Sequence, residues 1–339
     1  MKKITTIILS LVTLVSCNCE KSFDYVTASG TNVESALLKR MERFNDSIMD
    51  GKQSTRSFVQ PGAWRRAQII AADCGGAWSG GKAGAWAGGY FGPQGAALGA
   101  TFGALLCGVS SSYVAWECHK KITMDENPQI NFNDVVSLHK GDDNFPLIKD
   151  SFKKQTRVAS LQSVDFDKVK ENTIRAYVSM ENEDPNYSDY LPREINVHYP
   201  ITNNDVILMG AKHNAILKKL LNNEVIDNNK ELELSEEQLE IVNSKEFVDS
   251  FNKTIDNVCK SIESDNIISN DENDISSKLM NMFYEILVKY PEDLSDTEFI
   301  INEYIEAVRT STEISEEDKE LIYAGLSVAA SSSEFWNAK

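Results

Sequence analysis

A stretch of 34 residues without a formal charge, from Ala83 to Trp116, constrains the fold of this 339-residue chain more than any other feature. Glycines recur at intervals of four inside it and just before it. They form two rows: Gly76, Gly80, Gly84 and Gly88, then Gly95, Gly99 and Gly103. Helical positions four apart lie on one face, so each row predicts a bare groove against which another backbone can lie. A Gly-Pro turn between the rows predicts a helical hairpin over residues 63–118.

The same glycines favour an environment with little water. Each glycine in a helix interior costs about 1 kcal/mol relative to alanine, and the first arm of the hairpin is rich in glycine. In a bilayer every backbone amide must be bonded internally, so a closely packed helix becomes favourable. The second arm, Gln94 to Trp116, is about 34 Å long at 1.5 Å per residue and could cross about 30 Å of hydrocarbon. The first arm carries Asp73 and Lys82, with Arg65 and Arg66 at its start, and alanine and glycine make both arms only weakly hydrophobic. We therefore expect insertion to be conditional.

The first 17 residues combine a basic start, an apolar run and a cysteine. The apolar run, Ile4 to Val15, is too short to span a membrane. The tetrapeptide Leu14-Val15-Ser16-Cys17 is similar to the lipobox of bacterial lipoprotein signal peptides. This resemblance implies export, removal of residues 1–16 and attachment of lipid to Cys17, where several acyl chains would anchor the protein firmly.

The position after Cys17 bears on localisation. Asn18 occupies it, so the aspartate of an inner-membrane retention signal is absent. We therefore expect an exported lipoprotein in the outer membrane or at the cell surface. An ordinary secretory signal with a chance cysteine is the alternative.

Residues 17–62 are predicted to form a lipid-anchored tether. Apolar residues at helical spacing between Asn32 and Met49 predict an amphipathic helix that packs on the protein, with a membrane-surface helix as the alternative. Residues 50–62 lack periodicity and predict an exposed linker, where proteases cut most readily. Cleavage after Lys52 or Arg56 would release the rest of the chain from its anchor, and a passive tether is the alternative.

Charge divides the chain into two parts. Residues 1–124 contain 13 Lys and Arg against 8 Asp and Glu, whereas residues 125–339 contain 21 against 43. A body this acidic repels polyanions, so nucleic acid is not an expected partner. Acidic helix faces instead keep an exported protein soluble.

Five cysteines remain if Cys17 carries lipid. An exported protein meets an oxidising compartment, which permits disulfide bonds. If the hairpin turns near Phe91, the Cys74 side of the first arm faces the region near Ser111. Two pairings then stay open, Cys74 with Cys107 or Cys74 with Cys118.

Residues 119–339 are predicted to form an acidic, mainly helical domain. Three serines follow an apolar residue and precede acids, and these signals predict helices near 235–249, 295–310 and 315–335. Apolar runs at 206–221 and 275–290 predict two more. Residues 125–205 are less regular, with short helices and a strand near Ile195 to Val197 as the expectation.

Neither a catalytic nor a metal-binding motif is present in the sequence. The four histidines, His119, His139, His198 and His213, show no metal-ligand spacing, and no phosphate-binding loop or nucleophile elbow occurs. Adjacent Cys118 and His119 do not by themselves place a thiolate against an imidazole. We therefore expect neither an enzyme nor a cofactor.

The segment from Ala67 to Gly76, continued through Gly103, resembles the glycine-zipper segments of bacterial lipoproteins and of bacteriocin-type membrane toxins. Together with the lipobox, it is most similar to the lipoprotein bacteriocins of gut Gram-negative anaerobes. The resemblance implies a toxin that damages competing cells, with the seven row glycines packing helices in the membrane. The expected partners are a lipid bilayer, a surface receptor on the target, further copies of the chain and an activating protease. A structural or adaptor lipoprotein, whose hairpin stays in its own membrane or folds against the body, is the alternative.

Overall fold

The computed structural model describes residues 35–52, 61–125, 164–183, 186–222, 234–264, 274–290 and 293–337. These residues are predominantly helical and contain no β-strand, which confirms the prediction of a mainly α fold. The predicted signal peptide, the predicted lipidation site Cys17, the predicted cleavage site Arg56 and His139 lie outside the described residues. The described helices belong to one compact unit.

Eleven α-helices are described in this part of the chain. In order they are α1 (Ala36–Lys52), α2 (Pro61–Gly88), α3 (Gly92–Asp125), α4 (Phe166–Glu183), α5 (Asn204–Ile207), α6 (Met209–Leu221), α7 (Glu236–Asn243), α8 (Lys245–Glu263), α9 (Ile275–Lys289), α10 (Leu294–Thr310) and α11 (Glu316–Asn337). Helices α2 and α3 lie side by side at the centre, and α4, α6, α8, α9 and α11 pack around them. We refer to α2, α3 and the turn between them as the central hairpin.

The serine signals predict the helix starts with varying accuracy. Ser235 caps α7 with a complete capping box, in which Gln238 bonds back to the Ser235 backbone. Ser315 caps α11 by accepting a hydrogen bond from the amide of Asp318 (3.1 Å). Helix α10 begins earlier than predicted, because Asp293 rather than Ser295 caps it. An aspartate is as good a cap as a serine, so two adjacent candidates compete.

Helix α1 packs on the protein, as its spacing predicts. Leu37, Met41 and Ile48 are buried, and the helix lies against α9 and α10. The amide of Leu37 bonds to Glu313 (2.9 Å), and the amide nitrogen of Asn45 donates to the Tyr304 hydroxyl (3.0 Å). The helix continues to Lys52, so that predicted cleavage site is the last helical residue rather than part of a linker.

Residues 166–203 differ from the sequence expectation. The 18-residue helix α4 was not predicted. The expected strand near Ile195 is wrong, because residues 191–203 have no regular structure. Their backbone amides donate to acidic side chains instead of pairing with a second strand. The amide of Arg193 donates to the carboxylate of Glu334 (2.6 Å), and the amide of Asn196 donates to that of Glu298 (2.9 Å).

Candidate functional site

The glycines of α2 and α3 face each other in register. A Cβ added to Gly84 would lie 2.7 Å from the carbonyl carbon of Gly99, and one added to Gly88 would lie 2.7 Å from that of Gly95. Carbon atoms that are not bonded to each other do not approach so closely. The two arms are therefore in backbone-to-backbone contact, and any side chain at these positions would force them apart.

This register continues along the hairpin away from the turn. A Cβ on Gly103 would lie 3.1 Å from the carbonyl carbon of Gly80. Gly76 has no glycine opposite it, and a Cβ there would meet the carbonyl oxygen of Cys107 at 2.6 Å. All seven row glycines thus lie at the contact between α2 and α3. Whether they also pack helices inside a membrane stays a prediction.

Helix α11 supplies a third small-residue surface against α2. A Cβ added to Gly325 would lie 3.5 Å from the sulfur of Cys74, and one added to Gly81 would lie 2.9 Å from Leu321. The stretch between positions 324 and 333 consists of alanine, glycine, serine, leucine and valine, and it is buried throughout. Small residues on α11 therefore allow it to lie close to the central hairpin.

Larger side chains cover the remaining faces of the hairpin. Helix α8 contributes an apolar stripe, and its Thr254 bonds to Ser79 of α2 (3.0 Å). Helix α4 places Tyr177 against Phe102 of α3, with ring centroids 5.0 Å apart. Burial raises the pKa of Tyr177 to about 12, so this phenol stays neutral while it accepts a hydrogen bond from Gln238 (3.0 Å).

A buried polar cluster lies near the middle of α2 and α3. Asp73 is wholly buried, and the indole nitrogen of Trp336 donates a hydrogen bond to its carboxylate (3.2 Å). Burial raises the pKa of Asp73, and His213 of α6, Ser112 of α3 and Ser332 of α11 oppose part of that rise. The hydrogen bond between Trp336 and Asp73 therefore links α2 to α11 inside the core.

This cluster contains the residue types of a hydrolytic triad but not its arrangement. Nδ1 of His213 contacts the side-chain oxygen of Asn214 (3.1 Å). Asn214 in turn donates to the carbonyl of Ser331 (2.9 Å). Among the residues that the structure describes, no hydrogen bond joins His213 to a serine hydroxyl, and every group of the cluster is buried. In the described ranges no group of His, Cys, Asp and Glu could hold a metal ion.

Lys82, the charge of α2 nearest the turn, lies at the protein surface. Its ammonium group bonds to Asp274 (3.3 Å) and lies 4.8 Å from the ring centroid of Trp78. Both partners of the ion pair are about one-third exposed. Lys82 therefore remains in contact with water, whereas Asp73 does not.

The turn of the hairpin exposes a group of aromatic side chains. Trp86 is 51% exposed, Tyr90 74% and Phe91 37%, although large apolar residues elsewhere in α2 and α3 are largely buried. Trp86 and Tyr90 contact each other edge to face, with centroids 5.2 Å apart. No atom lies within 4 Å of a Cβ added to Gly89 or Gly92, and Gly92 has a φ of 85° that favours glycine. We call Trp86, Tyr90 and Phe91 the aromatic tip.

The predicted disulfide bonds are not formed in this structure. Cys74, Cys107 and Cys118 are all buried, as is Cys259, and no disulfide bond joins Cys74 to Cys107 or to Cys118. His119, next to Cys118, is also buried. Cys74 lies beside Gly325 of α11, where an added Cβ would be 3.5 Å from its sulfur.

Sequence reasoning missed two parts of this arrangement. The first is α11, whose run of small residues from 324 to 333 was readable as a helix but not as a partner for the glycine rows. The second is the aromatic tip. Trp86 and Tyr90 are four residues apart beside the turn, a spacing that places them on one helix face.

Comparison with known proteins leaves the hairpin as the main guide to function. No protein-family model matches this chain, and neither the curated proteins nor the solved structures gave a match. By length and composition, the helical stretch Trp64–Lys120 could cross a membrane. Buried core helices of soluble proteins share that property, and most of this stretch is buried.

Proposed function

We propose that the protein is an exported, lipid-anchored antibacterial toxin whose central hairpin is stored inside a helical body and inserts into the membrane of a target cell. The observation that carries this proposal is the burial, among the other helices, of a glycine-paired hairpin that has no formal charge from Ala83 to Trp116, with an aromatic turn left exposed. The body keeps the hairpin soluble in water, and insertion would replace the contacts between hairpin and body by contacts with lipid.

The internal packing of the hairpin supports insertion as a unit. The contact between α2 and α3 is centred on paired glycines, and the atoms that these glycines meet belong to the hairpin itself. Small-residue contacts of this kind are favourable in a bilayer, where close approach of backbones drives helix association. Leaving the body would therefore preserve the contact between the two arms.

Lys82 and Asp73, the two charges of α2 nearest the turn, fit an insertion that begins at the turn. Counted from Gly89 at about 1.5 Å per residue, Lys82 lies about 10 Å and Asp73 about 24 Å along the helix. In hydrocarbon about 30 Å thick, with the turn at the far side, both lie within about 10 Å of a surface. A lysine can extend its ammonium group to the nearer headgroups over such a distance.

The adaptor lipoprotein remains the second candidate, because one observation favours it. The stretch Trp64–Lys120 is mostly buried, and a permanent core would look the same. The two candidates differ in whether α11 must separate from α2.

A reversible covalent lock distinguishes the candidates. In the variant Gly325→Cys, the new Cβ lies 3.5 Å from the sulfur of Cys74, close enough for a disulfide bond after a small adjustment. We expect the oxidised variant to release no dye from liposomes and the reduced variant to release it as the unmodified protein does. Gly325→Ser adds a side chain of similar size without the bond and is the matched control. Equal release by the oxidised and reduced forms would contradict the proposal.

The toxin activity itself has a direct test. Producer cultures spotted on related strains should clear them, and Gly80→Leu with Gly99→Leu should abolish the clearing. Gly89→Leu adds the same side chain where no atom lies within 4 Å, and it should leave clearing intact. The adaptor would be favoured if the unmodified protein neither cleared related strains nor released dye from liposomes. The liposome assay should use both the intact chain and the chain cut within residues 50–62.

A further inference from the structure

We infer that the aromatic tip is a docking surface for the interface of a lipid bilayer and that it makes the first contact with the target membrane. This inference rests on the proposed function, because it names the surface on which insertion would begin. It concerns Trp86, Tyr90 and Phe91 and does not require that the hairpin has already left the body.

The position of the tip is the first argument. The short 3-10 helix Gly89–Phe91 makes its main contacts with α2 and α3, so the tip is an extension of the hairpin itself. Gly89, Tyr90 and Phe91 are all exposed. Open space around Gly89 and Gly92 shows that the surrounding helices do not close over the turn.

The chemistry of the tip is the second argument. Tryptophan and tyrosine have an apolar ring with a polar edge, and they are enriched where membrane proteins meet the headgroup region. None of the three tip side chains carries a charge, and the charge nearest to them along α2 is Lys82, four residues before Trp86. The tip residues themselves therefore supply no charge by which a protein partner would be steered.

The third argument is the contrast with other exposed apolar residues. Leu239 is 42% exposed and Phe299 50%, but they lie apart on α7 and α10. Phe299 packs on Phe44 of α1, with centroids 5.7 Å apart. Exposed apolar residues that occur singly need no special explanation, whereas three adjacent aromatic rings at one turn do.

The test is vesicle binding by residues 17–339 produced without the signal peptide, so that no acyl chain contributes. The tip variant carries Trp86→Ser, Tyr90→Ser and Phe91→Ser, and the control carries Leu239→Ser and Phe299→Ser. On uncharged phosphatidylcholine vesicles, we expect the tip variant to bind at least about tenfold more weakly, a factor that corresponds to about 1.4 kcal/mol. The control should bind as the unmodified protein does. High salt should change the binding of the unmodified protein little, because the tip is uncharged.

Two outcomes would overturn the inference. One is equal binding by the tip variant and the unmodified protein, including the case in which neither binds. The other is a dimer in vesicle-free solution that the tip variant abolishes, since the tip would then join two copies of the chain.

The inference and the proposed function can fail separately. Dye release by the tip variant at the unmodified rate would overturn the inference and leave the toxin proposal standing. Tip-dependent binding without any dye release would overturn permeabilisation and leave the docking surface standing.

Discussion

The middle of the central hairpin and its turn differ in what holds them. Near the middle, Asp73 is wholly buried, and Trp336 of α11 donates a hydrogen bond to it. At the turn, Tyr90 is 74% exposed, and no atom lies within 4 Å of a Cβ added to the neighbouring Gly89. The middle is attached to the body by a buried hydrogen bond that would be costly to break in an apolar setting. The turn is free to meet another surface before the middle is released.

The largest expected difference concerns two tryptophans of α2. Trp78 is 1% exposed and Trp86 is 51% exposed. Trp78→Ala should lower the free energy of unfolding by about 4 kcal/mol, because it leaves a cavity in the core. Trp86→Ala should change it by less than about 0.5 kcal/mol. Urea denaturation followed by circular dichroism measures both, and similar losses would show that the tip is as well packed as the core.

The next difference concerns two glycines close to the turn. Gly84→Ala should cost about 3 kcal/mol, because the new Cβ meets the backbone of Gly99 and the arms must separate. Gly89→Ala meets no atom within 4 Å, so it should be neutral or stabilise by about 0.5 kcal/mol through the unfolded state. Thermal unfolding of the pair tests this, and tolerance of alanine at position 84 would contradict the observed register.

A smaller effect is expected at the buried middle of the hairpin. Trp336→Phe keeps an aromatic six-membered ring but removes the pyrrole ring whose N–H group donates to Asp73, and it should cost about 2 kcal/mol. A double-mutant cycle with Asp73→Asn isolates the shared contribution. Strictly additive losses would mean that the two side chains do not depend on each other. If the cluster retains the hairpin, Trp336→Phe should also speed dye release from liposomes.

The smallest effect is expected at Lys82. Its ion pair with Asp274 is partly exposed, and such pairs contribute about 0–1 kcal/mol. Lys82→Met should therefore change stability by less than about 1 kcal/mol, and high salt should reduce the difference further. Stability of both proteins in low and high NaCl provides the measurement. A loss above about 2 kcal/mol would place Lys82 among the contacts that retain the hairpin.

The sequence predicted local features well and the neighbours of each helix poorly. The period of the glycines indicated which faces of α2 and α3 would meet, since that depends only on helical geometry. The capping signals at Ser235 and Ser315 located two helix starts, because a cap is satisfied within four residues. These features need no information from distant parts of the chain.

The missed features all depend on residues far apart in the chain. Trp336 lies 263 positions from Asp73, and nothing in either segment indicates the other. Helix α4 carries many polar residues, and its buried face became recognisable only against α3 and α6. The exposure of Trp86 likewise depends on where the surrounding helices end.

The glycine register also bears on the order in which the protein folds. The paired glycines are close in sequence, with Gly88 and Gly95 nearest the turn, whereas α11 reaches α2 from the far end of the chain. Contacts between nearby residues form fastest, because little loop entropy is lost when they close. We therefore expect the hairpin to assemble first and α11 to dock last. When the chain is synthesised from its amino terminus, the hairpin, its most lipid-compatible part, would stay exposed until α11 is made and docks.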